Sequence, residues 1–371
     1  MQVVVKIGTS SITEADGTIK AEAIAKLTSE VAQAVANGHQ VVIVSSGAIG
    51  AGLPVLGLQQ RLPKDSVTLQ ALSAVGQSRL MALYQQDFDS FGLICGQVLL
   101  APQDFLERAR YLHAQRTLNK LLHLGVVPIV NENDAVADDA IRWGDNDRIA
   151  ALVAHLVHAD LLLLLTDTAG VYTADPRVEP DAEIVREINN MRMMQELTAK
   201  AGGAGTTRGS GGMASKLAAA SIASWSGVRT VIASADYLGV LEDAVGGQLD
   251  VGTTVAPQPQ RISARKLWLA FAVPPRGVIW VDAGAQRAVM QQGASLLAVG
   301  ITSHEGHFQA GDTVEIRGPE GEVFARGLTE VSATEMGSVV GLHSSELPSG
   351  SPDQVIHRDF LTVLSHAELS A

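Results

Sequence analysis

Six continuous apolar runs along the first 255 or so residues constrain the fold most. "QVVVKIG", "QVVIVSSG", "LICGQVLLA", "GVVPIVNEND", "ADLLLLLTD" and "VRTVIASA" are β-branched or leucine-rich, short, and bounded by turn residues. A strand with one wet face would alternate apolar and polar residues. Runs without alternation predict strands buried on both faces, as in a parallel sheet. The segments between them have the spacing of amphipathic helices: "AEAIAKLTSEVAQAVANG" closes on Gly38 at a C′ position, and "LQALSAVGQSRLMALYQQDF" and "MASKLAAASIASWSG" read alike. The expectation is an α/β fold with a mostly parallel sheet covered by helices.

Near residue 260 the pattern changes. "VAPQPQRISARKLWLAFAVPPRG" carries four prolines and reads as a connector. Beyond Gly277 come the short runs "VIWVDAG", "LLAVGIT", "DTVEIRG", "EVFARGL" and "SVVGLHS", punctuated by "GDT" and "GPEGE", which predict a small β-rich domain. The expected organisation is a large domain over 1–258, a linker over 259–276, a β-rich domain over 277–355 and a tail over 356–371.

Composition narrows the partners. A net charge of −12 disfavours nucleic acid and anionic membranes. The run "ADLLLLLT" is far too short to span a bilayer, and the first residues read as a strand without the basic flank of a signal peptide, so a cytoplasmic location is expected. Cys95 is the only cysteine, which removes intramolecular disulfides and cysteine zinc sites; its apolar surroundings predict a buried, inert thiol.

In an open parallel sheet, ligands bind beyond the C-terminal strand ends. That rule selects "KIGTSS", "SSGAIGAG", "NENDAV…GDND" and "LTDTAGVYTADP". A fifth segment, "GTTRGSGGMASK", is glycine-rich and opens a helix, which suits a phosphate, although it is not a Walker A motif. Lys6 at the first strand's end and Lys216 at the helix start are placed to clamp one polyphosphate from two sides. Taken singly, Lys6 reads more readily as a strand-end lysine snorkelling to water than as a functional group, and Ser46 as a turn hydroxyl, the commoner fate of such serines. "VNENDAVADDAIRWGDND" holds six carboxylates, Glu132, Asp134, Asp138, Asp139, Asp145 and Asp147. Residue types alone leave a metal cage, a cation pocket and a solvated loop all open.

"VVVKIGTSS", "VIVSSGAIGAG", "VVPIVNENDAV", "GDND", "LLLLTDTAGVYTADPR" and "GSGGMASKLAAA" together resemble the amino acid kinase family, in particular its glutamate-phosphorylating branch, and residues 277–355 resemble the PUA domain that ends those enzymes. The resemblance implies ATP-dependent phosphorylation of the L-glutamate side-chain carboxylate at the start of proline biosynthesis, with Mg²⁺ accompanying ATP. Proline as feedback inhibitor and a homo-oligomer are implied as well. By the same resemblance Lys6 contacts the ATP phosphates, and Ser46, Asp134 and Asn146 bind glutamate. Asp147 holds the two catalytic lysines, and Thr166 and Asp167 bind nucleotide. Ser210, Gly211, Gly212, Met213, Ala214, Ser215 and Lys216 form the loop around its phosphates. Asp138 and Asp139 are expected to stay in solvent. The Mg²⁺ ligands are left unassigned.

Elementary chemistry agrees with that implication. A glutamate side chain, with a reference pKa of about 4.3, is ionised at neutral pH and needs no general base. The requirement is to suppress repulsion between two anions, so no histidine or cysteine nucleophile is expected. Two competing readings are a sibling kinase acting on aspartate, acetylglutamate, carbamate or UMP, and an RNA-related role, since PUA domains commonly bind RNA. Against the latter, residues 277–355 carry three arginines, Arg287, Arg317 and Arg326, and ten carboxylates, a local net charge of −7. Such a surface repels a phosphate backbone.

Overall fold

The computed structural model describes residues 1–59, 63, 65–101, 103–136, 146–201, 212–258, 275–348, 350 and 352–364. Its contacts divide the chain into two compact units, Met1–Arg261 and Ile262–Ala371.

The apolar runs of the first unit become strands β1 (Gln2–Ile7), β2 (Gln40–Ser45), β3 (Ile94–Leu100), β4 (Val126–Glu132), β5 (Leu161–Thr166) and β7 (Arg229–Ser234). With β6 (Glu187–Ile188) and β8 (Gly252–Val255) they form one eight-stranded sheet in the order β3-β4-β2-β1-β5-β7-β8-β6. Every pairing is parallel except β7 with β8. The helices are α1 (Thr9–Ile12), α2 (Ala21–Ala36), α3 (Ala48–Val55), α4 (Ser66–Asp89), α5 (Gln103–Leu106), α6 (Arg108–His123), α7 (Asn146–Leu156), α8 (Met191–Ala201), α9 (Met213–Trp225) and α10 (Val240–Gly246).

Strands β1 and β5 are buried along nearly their whole length, as unbroken apolar runs require. Strand β3 departs from that expectation. It lies at the sheet edge, Ile94 is 63% exposed, and Cys95 is only half-buried. The edge leaves one flank of β3 without a neighbouring strand, which local sequence does not reveal. The Cys95 thiol donates to Gln85 Oε1 at 3.2 Å, and burial together with the Asp89 charge pushes its pKa up.

Two glycines set how α3 and α4 meet. A Cβ at Gly76 would run into the Ala48 carbonyl, and one at Gly52 into the Leu72 carbonyl. The two helices therefore touch backbone to backbone, and the hydrogens of Gly52 and Gly76 make that approach possible. This fixes α4 beneath the loop that follows β2.

In the second unit, β9 (Gly277–Val281), β11 (Ile301–Gly306), β12 (Thr313–Arg317), β13 (Val323–Leu328) and β15 (Leu361–Val363) form a five-stranded sheet ordered β11-β9-β12-β13-β15. A two-stranded sheet pairs β10 (Leu296–Leu297) with β14 (Gln354–Ile356). "SVVGLHS", expected as a strand, instead ends the helix Ala333–Val339 and turns away. That helix starts with a capping box: Ser332 accepts from the Glu335 amide while Glu335 bonds back to the Ser332 amide. The sheet also takes in Leu361–Val363, paired with β13, from the segment expected as a tail. Among the described residues no helix is long and apolar enough to cross a membrane.

Candidate active site

The four central strands β4, β2, β1 and β5 lie side by side, so their C-terminal ends line one edge of the sheet. The chain reverses its direction of travel across the sheet between β1 and β5, the place where open α/β sheets bind ligands. Lys6, one residue from the end of β1, stands between Val44 and Leu164 of the flanking strands. Helix α7 begins with Asn146 and Asp147, and α9 brings Lys216 in its first turn.

Asp147 is fully buried, and among the described residues three donors converge on its carboxylate. Lys6 Nζ lies 2.5 Å from Oδ1, Lys216 Nζ lies 3.1 Å from Oδ2, and Ser215 Oγ donates to Oδ2 at 3.1 Å. Burial pushes the Asp147 pKa up, but the charges and hydrogen bonds of Lys6 and Lys216 outweigh it and hold the carboxyl below the usual aspartate range. Both lysines are almost fully buried. Two ammonium groups against one carboxylate leave a net charge of +1 in a poorly hydrated place, where an arriving anion is attracted more strongly than in water. Lys216 would oppose the dipole of α9 if it stood alone; Asp147 relieves that conflict.

On the β2–β4 side lies an amide network. Asn146 Nδ2 donates to the Ser45 carbonyl at 2.9 Å, Ser46 Oγ at 3.0 Å and Asn131 Oδ1 at 2.9 Å, sharing two hydrogens among three acceptors. Asn131 Oδ1 also accepts from the Glu132 amide at 2.9 Å, and Asn131 Nδ2 donates to Gln77 Oε1 at 2.8 Å. Among the described residues Asn146 Oδ1 is buried without a hydrogen-bond partner. Asp134, in a 3-10 turn just past β4, accepts from Ser73 Oγ at 2.5 Å. Burial raises the Asp134 pKa, and the Ser73 hydrogen bond only partly reverses this.

Across β1, at the end of β5, Thr166 Oγ1 donates to Asp167 Oδ1 at 3.1 Å, and the Asp167 side chain is exposed. Gly212 caps the N-terminus of α9, and Met213 and Ala214 open its first turn. Ser210 and Gly211 lie outside the described residues, as do Asp138, Asp139 and Asp145. The structure thus brings Lys6, Asp147, Ser215 and Lys216 into one cluster and Ser46 and Asn146 into a second. Thr166 and Asp167 stand on the opposite side of β1 from the amides.

Sequence reasoning missed Ser73, Gln77 and Asn131. A signal did exist: along α4 the buried stripe reads Leu72, Ser73, Gly76, Gln77, Leu80, Tyr84, with two polar residues at i, i+4 inside an apolar face. Polar residues in such a stripe need partners, and here Ser73 finds Asp134 while Gln77 finds Asn131 and Gln97.

The sequence profile of the amino acid kinase family matches residues 1–234, and that of the PUA domain matches residues 277–350. The chain belongs to the amino acid kinase family. Glutamate 5-kinase of Caldanaerobacter subterraneus subsp. tengcongensis is 42% identical to it, with 99% of each chain covered. Glutamate 5-kinase of Rippkaea orientalis is 43% identical, covering 97% of this chain and 98% of its own length. Among solved structures, carbamate kinase from Giardia lamblia bound to AMP-PNP superposes with a TM-score of 0.50 over 69% of this chain and 98% of its own, at 18% identity, a likeness of fold.

Proposed function

We infer that the chain transfers the γ-phosphoryl group of ATP to the side-chain carboxylate of L-glutamate, giving L-glutamate 5-phosphate and ADP, the opening reaction of proline biosynthesis. The observation that carries this reading is Asp147 bridging Lys6 and Lys216, with Asn146 of the same helix start turned toward Ser46. Relatives named glutamate 5-kinase over nearly the whole chain support the choice of acceptor.

The chemistry follows from those positions. A carboxylate oxygen forms a bond to the γ-phosphorus as the bond to the ADP oxygen breaks, and ADP leaves with that electron pair. No proton is transferred. Lys6 and Lys216, oriented by Asp147, stabilise the charge spread over the transferring group, and because they are already in place they cost little reorganisation. Thr166, Asp167 and the loop over Ser210–Lys216 take the nucleotide. Ser46, Asp134 and Asn146 take the amino acid, Asp134 offering its charge to the α-ammonium.

Mg²⁺ usually arrives on ATP phosphates, keeping waters and using at most one or two protein carboxylates. The donor set fits such an ion. Asp147 is committed to two lysines and Ser215, while Asp167 is an exposed carboxylate at the nucleotide side. When bound, the ion would neutralise phosphate charge. Proline as feedback inhibitor and a homo-oligomeric assembly complete the reading. ADP release coupled to an optical signal, across glutamate, aspartate, acetylglutamate, carbamate and UMP, tests it. Glutamate should be strongly preferred, and turnover with any other acceptor in its place sinks the assignment.

A further inference from the structure

We propose that Gln77 of α4 is a positioning residue for the amino-acid substrate: through Asn131 it sets the Asn146 amide so that Asn146 Oδ1 faces the substrate's α-ammonium. The proposal rests on L-glutamate being the acceptor. At neutral pH glutamate carries two carboxylates, which only accept hydrogen bonds, and one ammonium, its sole donor group. A buried acceptor that the protein leaves unpartnered is therefore matched by that ammonium and by no other part of the substrate. Among the described residues Asn146 Oδ1 is such an acceptor.

Which atom of Asn146 points outward is decided by its neighbours. Its nitrogen faces the Ser45 carbonyl, Ser46 Oγ and Asn131 Oδ1. The Ser45 carbonyl is a fixed acceptor and the Ser46 hydroxyl can accept or donate, whereas the Asn131 amide can turn over, since it presents oxygen or nitrogen with nearly the same shape. Asn131 is held in the required sense from both ends. Its oxygen accepts from the Glu132 amide, and its nitrogen donates to Gln77 Oε1 at 2.8 Å. Gln77 and Asn131 are both buried, so no bulk water competes for these bonds. Without the Gln77 acceptor, Asn131 Nδ2 loses this partner and the amide can reverse. A reversed Asn131 would press nitrogen against Asn146 Nδ2, favouring a reversed Asn146 and setting a donor against the ammonium. The base of α4 is itself pinned to α3 by the Gly52 and Gly76 contacts, so Gln77 is held at a fixed height under the site.

The test compares wild-type chain with Gln77→Leu and the conservative Gln77→Glu, using L-glutamate and glutarate, which lacks the ammonium, as acceptors. Gln77→Leu should raise KM for glutamate roughly tenfold or more, the scale of losing one charge-assisted hydrogen bond, with KM for ATP unchanged. KM for glutarate should barely move, so discrimination between the two acceptors collapses. Gln77→Glu keeps an acceptor for Asn131 Nδ2 and should recover most of the glutamate affinity. In an Asn146→Ala background, Gln77→Leu should add nothing further. If Gln77→Leu does not fold, Gln77→Met serves the same comparison. A parallel rise in KM for glutamate, glutarate and ATP would mark a merely structural residue and overturn the proposal. A wild-type chain that releases no ADP with glutamate would overturn the underlying reading of the acceptor as well.

Discussion

Asn146 and Asp147 are adjacent in sequence and at the start of one helix, yet their side chains join different clusters. Around Asp147 the charges answer one another inside the protein: one buried carboxylate holds two buried ammonium groups and a half-buried hydroxyl, with a net +1 left over. Around Asn146 the account is left open, with an unpartnered oxygen and, nearby in sequence, Asp134 carrying a carboxyl that burial has pushed up. In the proposed reaction the phosphoryl side is assembled in advance, because its task would be to hold fixed charge where negative charge develops. In the same proposal the amino-acid side keeps an unpartnered acceptor for a ligand to complete, which is how a site selects a substrate bearing the matching donor.

Breaking the answered side should have the largest effect. Lys6→Ala or Lys216→Ala removes a preorganised cation, and each should depress kcat by the equivalent of about 2–4 kcal/mol. Asp147→Asn should also reduce kcat more than glutamate affinity. It leaves two buried ammonium groups short of a counter-charge, and removing one partner of a buried pair costs about 3–5 kcal/mol of stability. Steady-state kinetics and thermal melts on the three variants check this; a kcat near wild type in folded protein would dissolve the contrast between the two sides.

On the open side, Asp134→Asn keeps shape and loses a charge-assisted contact worth about 1.5–3 kcal/mol. Glutamate KM should rise by one to two orders of magnitude, roughly tenfold per 1.4 kcal/mol, with ATP KM little altered. If ATP dependence changes instead, Asp134 belongs to the other side.

Gly76→Ala probes the support beneath the open side. The new methyl meets the Ala48 carbonyl and must push α3 and α4 apart, overpacking that costs roughly 1–3 kcal/mol. A lower melting temperature should come with a higher glutamate KM and an unchanged ATP KM.

The smallest effect is a titration. Because burial raises the Asp134 pKa, its carboxyl takes up a proton at a higher pH than an ordinary aspartate does as the solution is acidified. Glutamate KM should climb as pH falls toward that raised value. Its effect on stability has the opposite sign to its effect on binding: a group whose folded pKa is raised favours folding more as pH falls through it. For Asp147 the folded pKa is lowered, so its contribution is present above the unfolded aspartate value and is lost as pH falls through the folded one. Glutamate KM measured against pH, beside the Asp134→Asn profile, separates the two groups. A KM that stays flat on acidification removes Asp134 from ammonium binding.

The sequence by itself determined which segments become buried strands, because unbroken runs such as "ADLLLLLTD" have nowhere to go but a sheet covered on both faces. It also placed Lys6 and the glycine-rich helix start at ends where phosphates bind, since strand ends and helix starts are local features. Strand order was decided only in three dimensions. Nothing within β3 announces that it lies at an edge, and its half-exposed residues follow from having a neighbour on one side alone. The meeting of Lys6, Asp147 and Lys216, drawn from three distant parts of the chain, depends on β1 standing at the centre of the sheet. The partners of Ser73 and Gln77 were likewise decided by packing. A serine and a glutamine on a helix have no fixed destination until the Gly52 and Gly76 contacts bring α4 under the site, where Ser73 meets Asp134 and Gln77 meets Asn131 and Gln97. Hydrophobic periodicity is a property of short windows, whereas the pairing of charges and amides depends on which windows become neighbours.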